Sequence, residues 1–329
     1  MHPLLAAQLA EAARVLPEPV RQYYAAGAGD ELSVTEAEQA WQQVRLRPRV
    51  LRDVSRIDTG LELLGARLKT PVLTGATAAH GLAHPDGEIA TGRGTAAAGS
   101  LLVLSSRSSR PLEQVPTGPW WFQAYALTDR KLTLELAGRA AGAGASAVVL
   151  TGDTPYLGDR PGATLIDLHG AGPAGGEQDP SAGLEVIGQL AAASGLPVLV
   201  KGVLRGDDAD ACLSAGAAGV VVSNHGGRQL DRAVTTAEAL AEVADAVAGR
   251  GLVLVDGGIR SGLDVLCALA LGADAVLLGR PILWALAAGG APGVEQCLRA
   301  LTGDLSAVMG LAGATSLAEV TSDLVQRHH

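Results

Sequence analysis

Eight short apolar runs recur from Pro71 onward, each followed by a longer stretch with helical spacing. They are Pro71–Thr74, Leu101–Ser105, Trp121–Tyr125, Ala147–Thr151, Pro197–Lys201, Gly219–Ser223, Leu252–Asp256 and Ala275–Gly279. Such alternation predicts βα units around a parallel sheet. Val148-Val149-Leu150, Val220-Val221-Val222 and Val253-Leu254-Val255 have no polar residue at alternate positions, so both faces of the sheet should be covered. A weak repeat agrees: Ala143-Gly144-Ala145, Ala215-Gly216-Ala217 and Leu271-Gly272-Ala273 each precede a strand. There a glycine can end a helix in the left-handed region. Eight units close more naturally into a (β/α)8 TIM barrel than into an open doubly wound sheet, which is the alternative. No G-x-G-x-x-G follows the first strand, which counts against a dinucleotide-binding sheet.

The 329 residues fit one domain, 1–329, with an N-terminal helical extension over 1–69 and the barrel over 70–329. Met1 to Tyr24 reads as an amphipathic helix, because charged residues are spaced among its leucines and alanines and no secretory pattern is present. With 43 glycines and only 3% aromatics, turns and small-residue packing must do much of the work. Hydrophobic content of 48% excludes disorder. A net charge of −9 without a basic run argues against nucleic acid, and no apolar stretch is long enough for a membrane span. Cys212, Cys267 and Cys297 lack metal-ligand spacing and read as buried thiols of a cytoplasmic protein. No metal site is expected.

In a barrel the active site forms at the C-terminal ends of the strands. Those ends carry Thr77, Ser105-Ser106, Gln123 with Tyr125, Thr151 with Asp153, Lys201, Ser223-Asn224-His225, Asp256-Gly257-Gly258 and Gly279-Arg280. Lys201 stands out because only three of the 25 basic residues are lysine. A compact ammonium ending an apolar strand suits stabilising an anion, the alternative being a salt-bridged structural cation. His225, followed by Gly226, Gly227 and Arg228, suits a base beside a carboxylate-binding fork. No other histidine has a comparable setting; His328 and His329 read as tail. Gly257-Gly258-Ile259-Arg260 and Gly279-Arg280 follow the last two strands, where barrels commonly bind a phosphate.

The run Ser223-Asn224-His225-Gly226-Gly227-Arg228-Gln229-Leu230 resembles the signature of the FMN-dependent α-hydroxy-acid oxidase and dehydrogenase family. The resemblance continues through Tyr23-Tyr24-Ala25-Ala26-Gly27, Leu46–Leu51, Ala79–Pro85, Trp121-Phe122-Gln123, Val200-Lys201-Gly202 and Val255–Gly262, in order over nearly the whole chain. It implies oxidation of a 2-hydroxy acid to a 2-oxo acid on FMN. By matching motif, His225 is the base and Asp153 its hydrogen-bond partner. Arg228, Arg160 and Tyr23 hold the substrate carboxylate, Tyr125 contacts its hydroxyl, and Lys201 stabilises the reduced flavin. Thr77, Ser105, Gln123, Thr151, Ser223 and Asp256 bind FMN, with Gly258, Arg260, Gly279 and Arg280 at its phosphate. It also implies a homo-oligomer, tetrameric in relatives.

Three departures from the family pattern are visible. Gly75-Ala76-Thr77 replaces the usual Ala-Pro beside the flavin. Arg107 takes the place of an aromatic or small pocket residue, so that it either favours an anionic or polar substrate tail or points to solvent. The loop from Arg160 to about Leu184, which overlaps an irregular stretch from Leu157 to about Ser181, is shorter than the family's lid. Small Ala79 is expected to leave space for oxygen near the flavin, favouring O2 as acceptor. The alternatives are a dehydrogenase with another electron acceptor, and an FMN barrel acting on an amine or larger substrate.

Overall fold

The computed structural model describes residues 1–115, 117–161 and 176–326. The chain opens with helices α1 (Pro3–Val15), α2 (Glu18–Ala25) and α3 (Leu32–Gln43). The single helix expected over the first 24 residues is therefore two. Pro17 and Pro19 account for the break: a proline disfavours helical geometry in the residue before it, and Leu16, before Pro17, is extended, yet a proline is tolerated in the first turn of the helix that follows. Nor is the extension wholly helical. β1 (Leu61–Leu63) and β2 (Ala66–Leu68) form an antiparallel hairpin joined by Leu64 and Gly65, both at positive φ, the geometry that matches strand twist in a two-residue turn.

The eight apolar runs form β3 (Val72–Thr74), β4 (Leu102–Ser105), β5 (Trp120–Tyr125), β6 (Val148–Thr151), β7 (Val198–Val203), β8 (Gly219–Val222), β9 (Leu252–Asp256) and β10 (Ala275–Leu278). All pair in parallel, and β10 pairs with β3, so the barrel is closed and the open-sheet alternative is excluded. Around it stand α4 (Glu88–Ala97), α5 (Arg130–Gly142), α6 (Glu185–Ser194), α7 (Gly206–Ser214), α8 (Thr236–Val247), α9 (Gly262–Ala270) and α10 (Arg280–Ala312). Their starts follow from sequence: Thr235 and Glu238 form a reciprocal cap on α8, and Ser261 caps α9. Gly144, Gly216 and Gly272 lie at positive φ just after α5, α7 and α9, as the repeat predicts. α10 breaks at Gly289 and Gly290, just before Pro292.

Two apolar layers result. Outward residues such as Val72, Phe122, Val220 and Val276 pack against the helices. Inward residues Leu73, Val103, Trp121, Val149, Leu199, Val221, Leu254 and Leu277 fill the barrel, and Leu63 and Leu68 of the hairpin join that cluster. Side chains alternate along a strand, so the next inward positions are Gly75, Ser105, Gln123, Thr151, Lys201, Ser223, Asp256 and Gly279. On every strand the interior changes from apolar to polar or glycine in one two-residue step. Among the described residues no helix is long and apolar enough to cross a membrane.

Candidate active site

Above that step lies a cleft enclosing about 1180 Å³ of atom-free space, open solvent included. It is lined by Thr77, Ser105, Gln123, Tyr125, Thr151, Lys201, His225, Asp256, Gly258, Gly279 and Arg280, together with Tyr23, Arg107, Arg160, Arg228 and Arg260. Of the site residues expected from sequence, Asp153 and Ser223 do not line it, and both act from behind.

His225 Nδ1 lies 3.0 Å from Asp153 Oδ1 and 3.2 Å from Oδ2. The histidine sits in the left-handed region, φ 59°, an uncommon place for a side chain of this size and one that concentrates at functional sites. Its N–H donates to Ser223 Oγ at 3.1 Å, and Gly227 N donates to Asn224 O at 3.0 Å, closing the turn. Asp153 needs space that Gly202 provides: a Cβ at 202 would fall 2.5 Å from Asp153 Cβ, and the backbone there has φ +107°. The register of β7 against β8 shifts at this point, between Lys201 and Val203.

Burial lowers the His225 pKa below its ordinary value and the charge of Lys201 lowers it further, against the opposing pull of Asp153. For Asp153, burial acts to raise the carboxyl, but the His225 hydrogen bond and charge and then Lys201 outweigh it and hold it low. Lys201 is also buried, which disfavours its charge; Asp256 and Asp153 reverse this and raise it. Its Nζ donates to Ser223 Oγ at 2.8 Å and stands 3.4 Å from Asp256 Oδ2. Ser223, which the resemblance assigns to the flavin, is fully buried and holds Lys201 and the His225 backbone.

Arg228 and Arg280 bind the carbonyl end of α2. Arg228 Nη1 donates to Ala26 O at 2.7 Å and Tyr23 O at 2.9 Å; Arg280 donates to Tyr24 O and Ala25 O at 3.1 Å and to Gly226 O at 2.9 Å. Cations at a helix C-terminus satisfy carbonyls that lack partners, so the extension and the barrel mouth are fixed together. Burial, then Arg160, lowers Arg228 to about 10; burial, then Arg228 and Arg260, lowers Arg280 to about 10. Arg160 donates to Arg228 O at 2.9 Å and to Gln229 Oε1 at 3.0 Å. Gln229 in turn donates to Asp153 O and Tyr156 O, tying the Asp153 and His225 loops together. Arg228 stacks over the Tyr23 ring at 5.4 Å and Arg107 over the Tyr125 ring at 4.8 Å, which places Arg107 in the cleft rather than in solvent.

The profile of the FMN-dependent dehydrogenase family matches residues 12–169 and 167–327. Glycolate oxidase 1 of Zea mays is 43% identical over 334 residues, 93% of this chain and 90% of its own. An L-lactate oxidase of Nostoc sp. is 40% identical over 336 residues, 92% of each chain. A mandelate oxidase variant solved with (S)-mandelic acid superposes with a TM-score of 0.93 at 41% identity, covering 98% of this chain and 97% of its own. The chain belongs to the FMN-dependent dehydrogenase family. Its cofactor is FMN.

The residues present fit such a group. Ser105 Oγ, Gln123 and Thr151 form a buried hydrogen-bonded row, with Ser105 Oγ 3.2 Å from Gln123 Oε1 and Gln123 Nε2 2.8 Å from Thr151 Oγ1. Asp256 Oδ1 is buried without a partner among the described residues, which suits a hydroxyl-bearing ligand. At the other end, α10 begins at Arg280 after Gly279, which offers no side-chain cap; Pro281 has no N–H and Ile282 N donates to Gly279 O at 3.0 Å, so backbone donation to an anion at this helix start falls to Arg280 N. Gly258 lies where a Cβ would fall 2.1 Å from Ala37 O. Arg260 shares this end, with Nε 2.9 Å from Glu38 Oε1 and its guanidinium 5.1 Å from the Trp284 ring centre.

Sequence reasoning missed His80, which does have a setting. It is buried, with Nε2 2.6 Å from Thr77 Oγ1 and Nδ1 2.8 Å from Thr91 Oγ1, and its backbone N–H donates to Glu88. The signal was available in the spacing His80…Glu88-Ile89-Ala90-Thr91, one turn apart on α4, but nothing in the sequence shows that α4 packs under Thr77. Ala79, expected near the flavin, is buried and accepts a hydrogen bond from the Tyr24 hydroxyl; the small residues lining the cleft are Ala76 and Ala78. Most of the loop from Arg160 to about Leu184, expected to be shorter than the family's lid, with His169, and also His328 and His329, lie outside the described residues.

Proposed function

We propose that the chain oxidises a 2-hydroxy acid to a 2-oxo acid on FMN, with His225 as the base and O2 as the electron acceptor. FMN-dependent oxidation of 2-hydroxy acids is common to its relatives; the assignment of roles is supported by the Asp153–His225 pair opening onto a cleft ringed by cations. The chemistry needs a base, an anchored carboxylate and a two-electron sink. His225, held below the ordinary histidine value by burial, is neutral and ready to accept a proton at neutral pH. Asp153 orients its Nδ1 and stabilises the imidazolium that forms.

Arg228 and Arg160 bind the substrate carboxylate. Arg228 spends Nη1 on carbonyls, which leaves the rest of its fork facing the cleft. Tyr23 adds a hydroxyl, and Tyr125, whose own proton is held tightly because burial raises its pKa, donates to the substrate hydroxyl. Lys201, kept protonated, offers positive charge where the reduced cofactor carries negative. FMN, when bound, receives the two electrons. Thr77, Ser105, Gln123, Thr151 and Asp256 line the cleft where its ring and chain are held; Gly258, Arg260, Gly279 and Arg280 take the phosphate.

O2 as acceptor is supported by the small Ala76 and Ala78 beside the cleft. A cytoplasmic location is supported by three buried free thiols, with Cys267 and Cys297 pushed up to about 12 by burial. A homo-oligomer, tetrameric by resemblance, is supported by exposed Val50, Leu51 and Leu311, grouped where Arg49 N bonds Ala312 O at the end of α10. The test is anaerobic: a 2-hydroxy acid should bleach the flavin, and air should restore it within the turnover time in a stopped-flow trace. Restoration only by an added acceptor overturns the O2 assignment. Light scattering checks the assembly.

A further inference from the structure

We infer that the cleft is built for a 2-hydroxy acid carrying a second negative group, recognised by Arg107. The inference rests on the 2-hydroxy-acid reading and adds the substrate class. Arg107 is pinned: its N–H donates to Ser105 Oγ at 3.1 Å, and its carbonyl accepts from Ala79 N at 3.1 Å. The next turn is anchored as well, because Ser109 N and Oγ both donate to the buried Glu88 carboxylate, at 2.9 and 2.5 Å. From this fixed backbone the guanidinium reaches over the Tyr125 ring, 4.8 Å from its centre, inside the cleft. Among the described residues no carboxylate lies within ion-pair distance of it, although most other arginines that line the cleft or pack nearby donate to carbonyls or carboxylates.

The charges at this end do not balance for a simple substrate. Arg107, Arg160 and Arg228 share it; burial lowers the pKa of Arg160, and the nearby charge of Arg107 adds to this. Asp153 is committed to His225 and Asp256 to Lys201. One substrate carboxylate bound by Arg160 and Arg228 leaves Arg107 charged, partly desolvated and without an anion, an arrangement that costs free energy. A second carboxylate on the substrate's tail removes that cost and gains a planar, bidentate partner.

The test compares 2-hydroxybutanedioate with 2-hydroxybutanoate, each enantiomer separately, by the anaerobic rate of flavin bleaching. In the wild-type holoenzyme the dianion should have the higher kcat/KM by about 10- to 100-fold, the range of one charged hydrogen-bonded contact, and salt should reduce the preference. Arg107→Leu should erase the preference and Arg107→Lys should retain part of it. A wild-type preference for the monoanion, or a dianion preference that survives Arg107→Leu, overturns the inference while leaving the 2-hydroxy-acid reading in place. If neither acid, nor any other 2-hydroxy acid, bleaches the flavin, that reading fails and takes this one with it. The wild-type comparison stands alone should either variant fail to fold.

Discussion

The two ends of the barrel are made by the same strands, and successive inward residues on one strand have opposite tasks. Leu199 closes the lower layer and Lys201, two residues on, carries a charge into the cleft; Leu254 and Asp256, Val149 and Thr151, and Trp121 and Gln123 repeat the step. Below the step, packing is saturated and each inward side chain is held by apolar neighbours from other strands and by the hairpin. Above it, most polar groups are held by specific partners rather than by packing, and His225 sits in the left-handed region that a chain adopts reluctantly. The lower end should therefore govern stability and the upper end chemistry, a separation that substitution can break.

The largest effect is expected at the top. His225→Ala should lower the rate of flavin bleaching by about 10²–10⁴-fold, the usual contribution of a positioned base, with the FMN spectrum and the thermal midpoint nearly unchanged. Retained turnover would refute its role. The converse lies at the bottom: Leu199→Ala, in a fully buried layer, should cost about 2–5 kcal/mol by denaturant titration, with kcat per folded molecule close to wild type. A loss of activity without loss of stability at Leu199 would dissolve the separation.

Gly202→Ala tests the boundary between the two ends. A methyl there meets Asp153 Cβ and requires a left-handed backbone, so about 1–3 kcal/mol of stability and roughly tenfold in bleaching rate should be lost together. The smallest effect is on pH dependence. Protonated His225 cannot act as base, so kcat/KM should be level above its pKa and fall as pH drops through it, at a pH below the ordinary 6.5. Asp153→Asn removes the carboxylate that opposes this shift, so the limb should move to still lower pH while the plateau drops.

Much of the site was legible because barrel chemistry follows strand ends, and strand ends can be counted from apolar runs. His225, Asp153, Lys201 and Tyr125 could be named that way and by resemblance; His225, Lys201 and Tyr125 line the cleft, and Asp153 stands behind His225. Ser223 and His80 show where that reasoning stops. Both are polar residues near strand ends, yet Ser223 turns behind Lys201 and His80 supports Thr77 from beneath, and the direction of a side chain depends on what packs beside it. The break in the first helix is written in Pro17 and Pro19, against the amphipathic spacing that runs across them; the hairpin turn is signalled only by Gly65, because Leu64 at positive φ is tolerated by tertiary context.

By itself the sequence determined the eight-fold βα alternation and a parallel sheet covered on both faces, since continuous apolar strands admit no exposed face; that β10 pairs with β3 to close a barrel, rather than leaving an open sheet, was decided by the tertiary structure. It also placed the polar residues at one end, because strand direction and chain order fix which ends share a face. What it left open was which apolar residues point inward, since both faces of each strand are equally apolar and period two carries no contrast. Only closure of the barrel decided that. Closure likewise set the pairing of Asp153 with His225, 72 positions apart, and left Arg107 in the cleft without a carboxylate among the described residues, because these depend on distances between strands that no local pattern encodes.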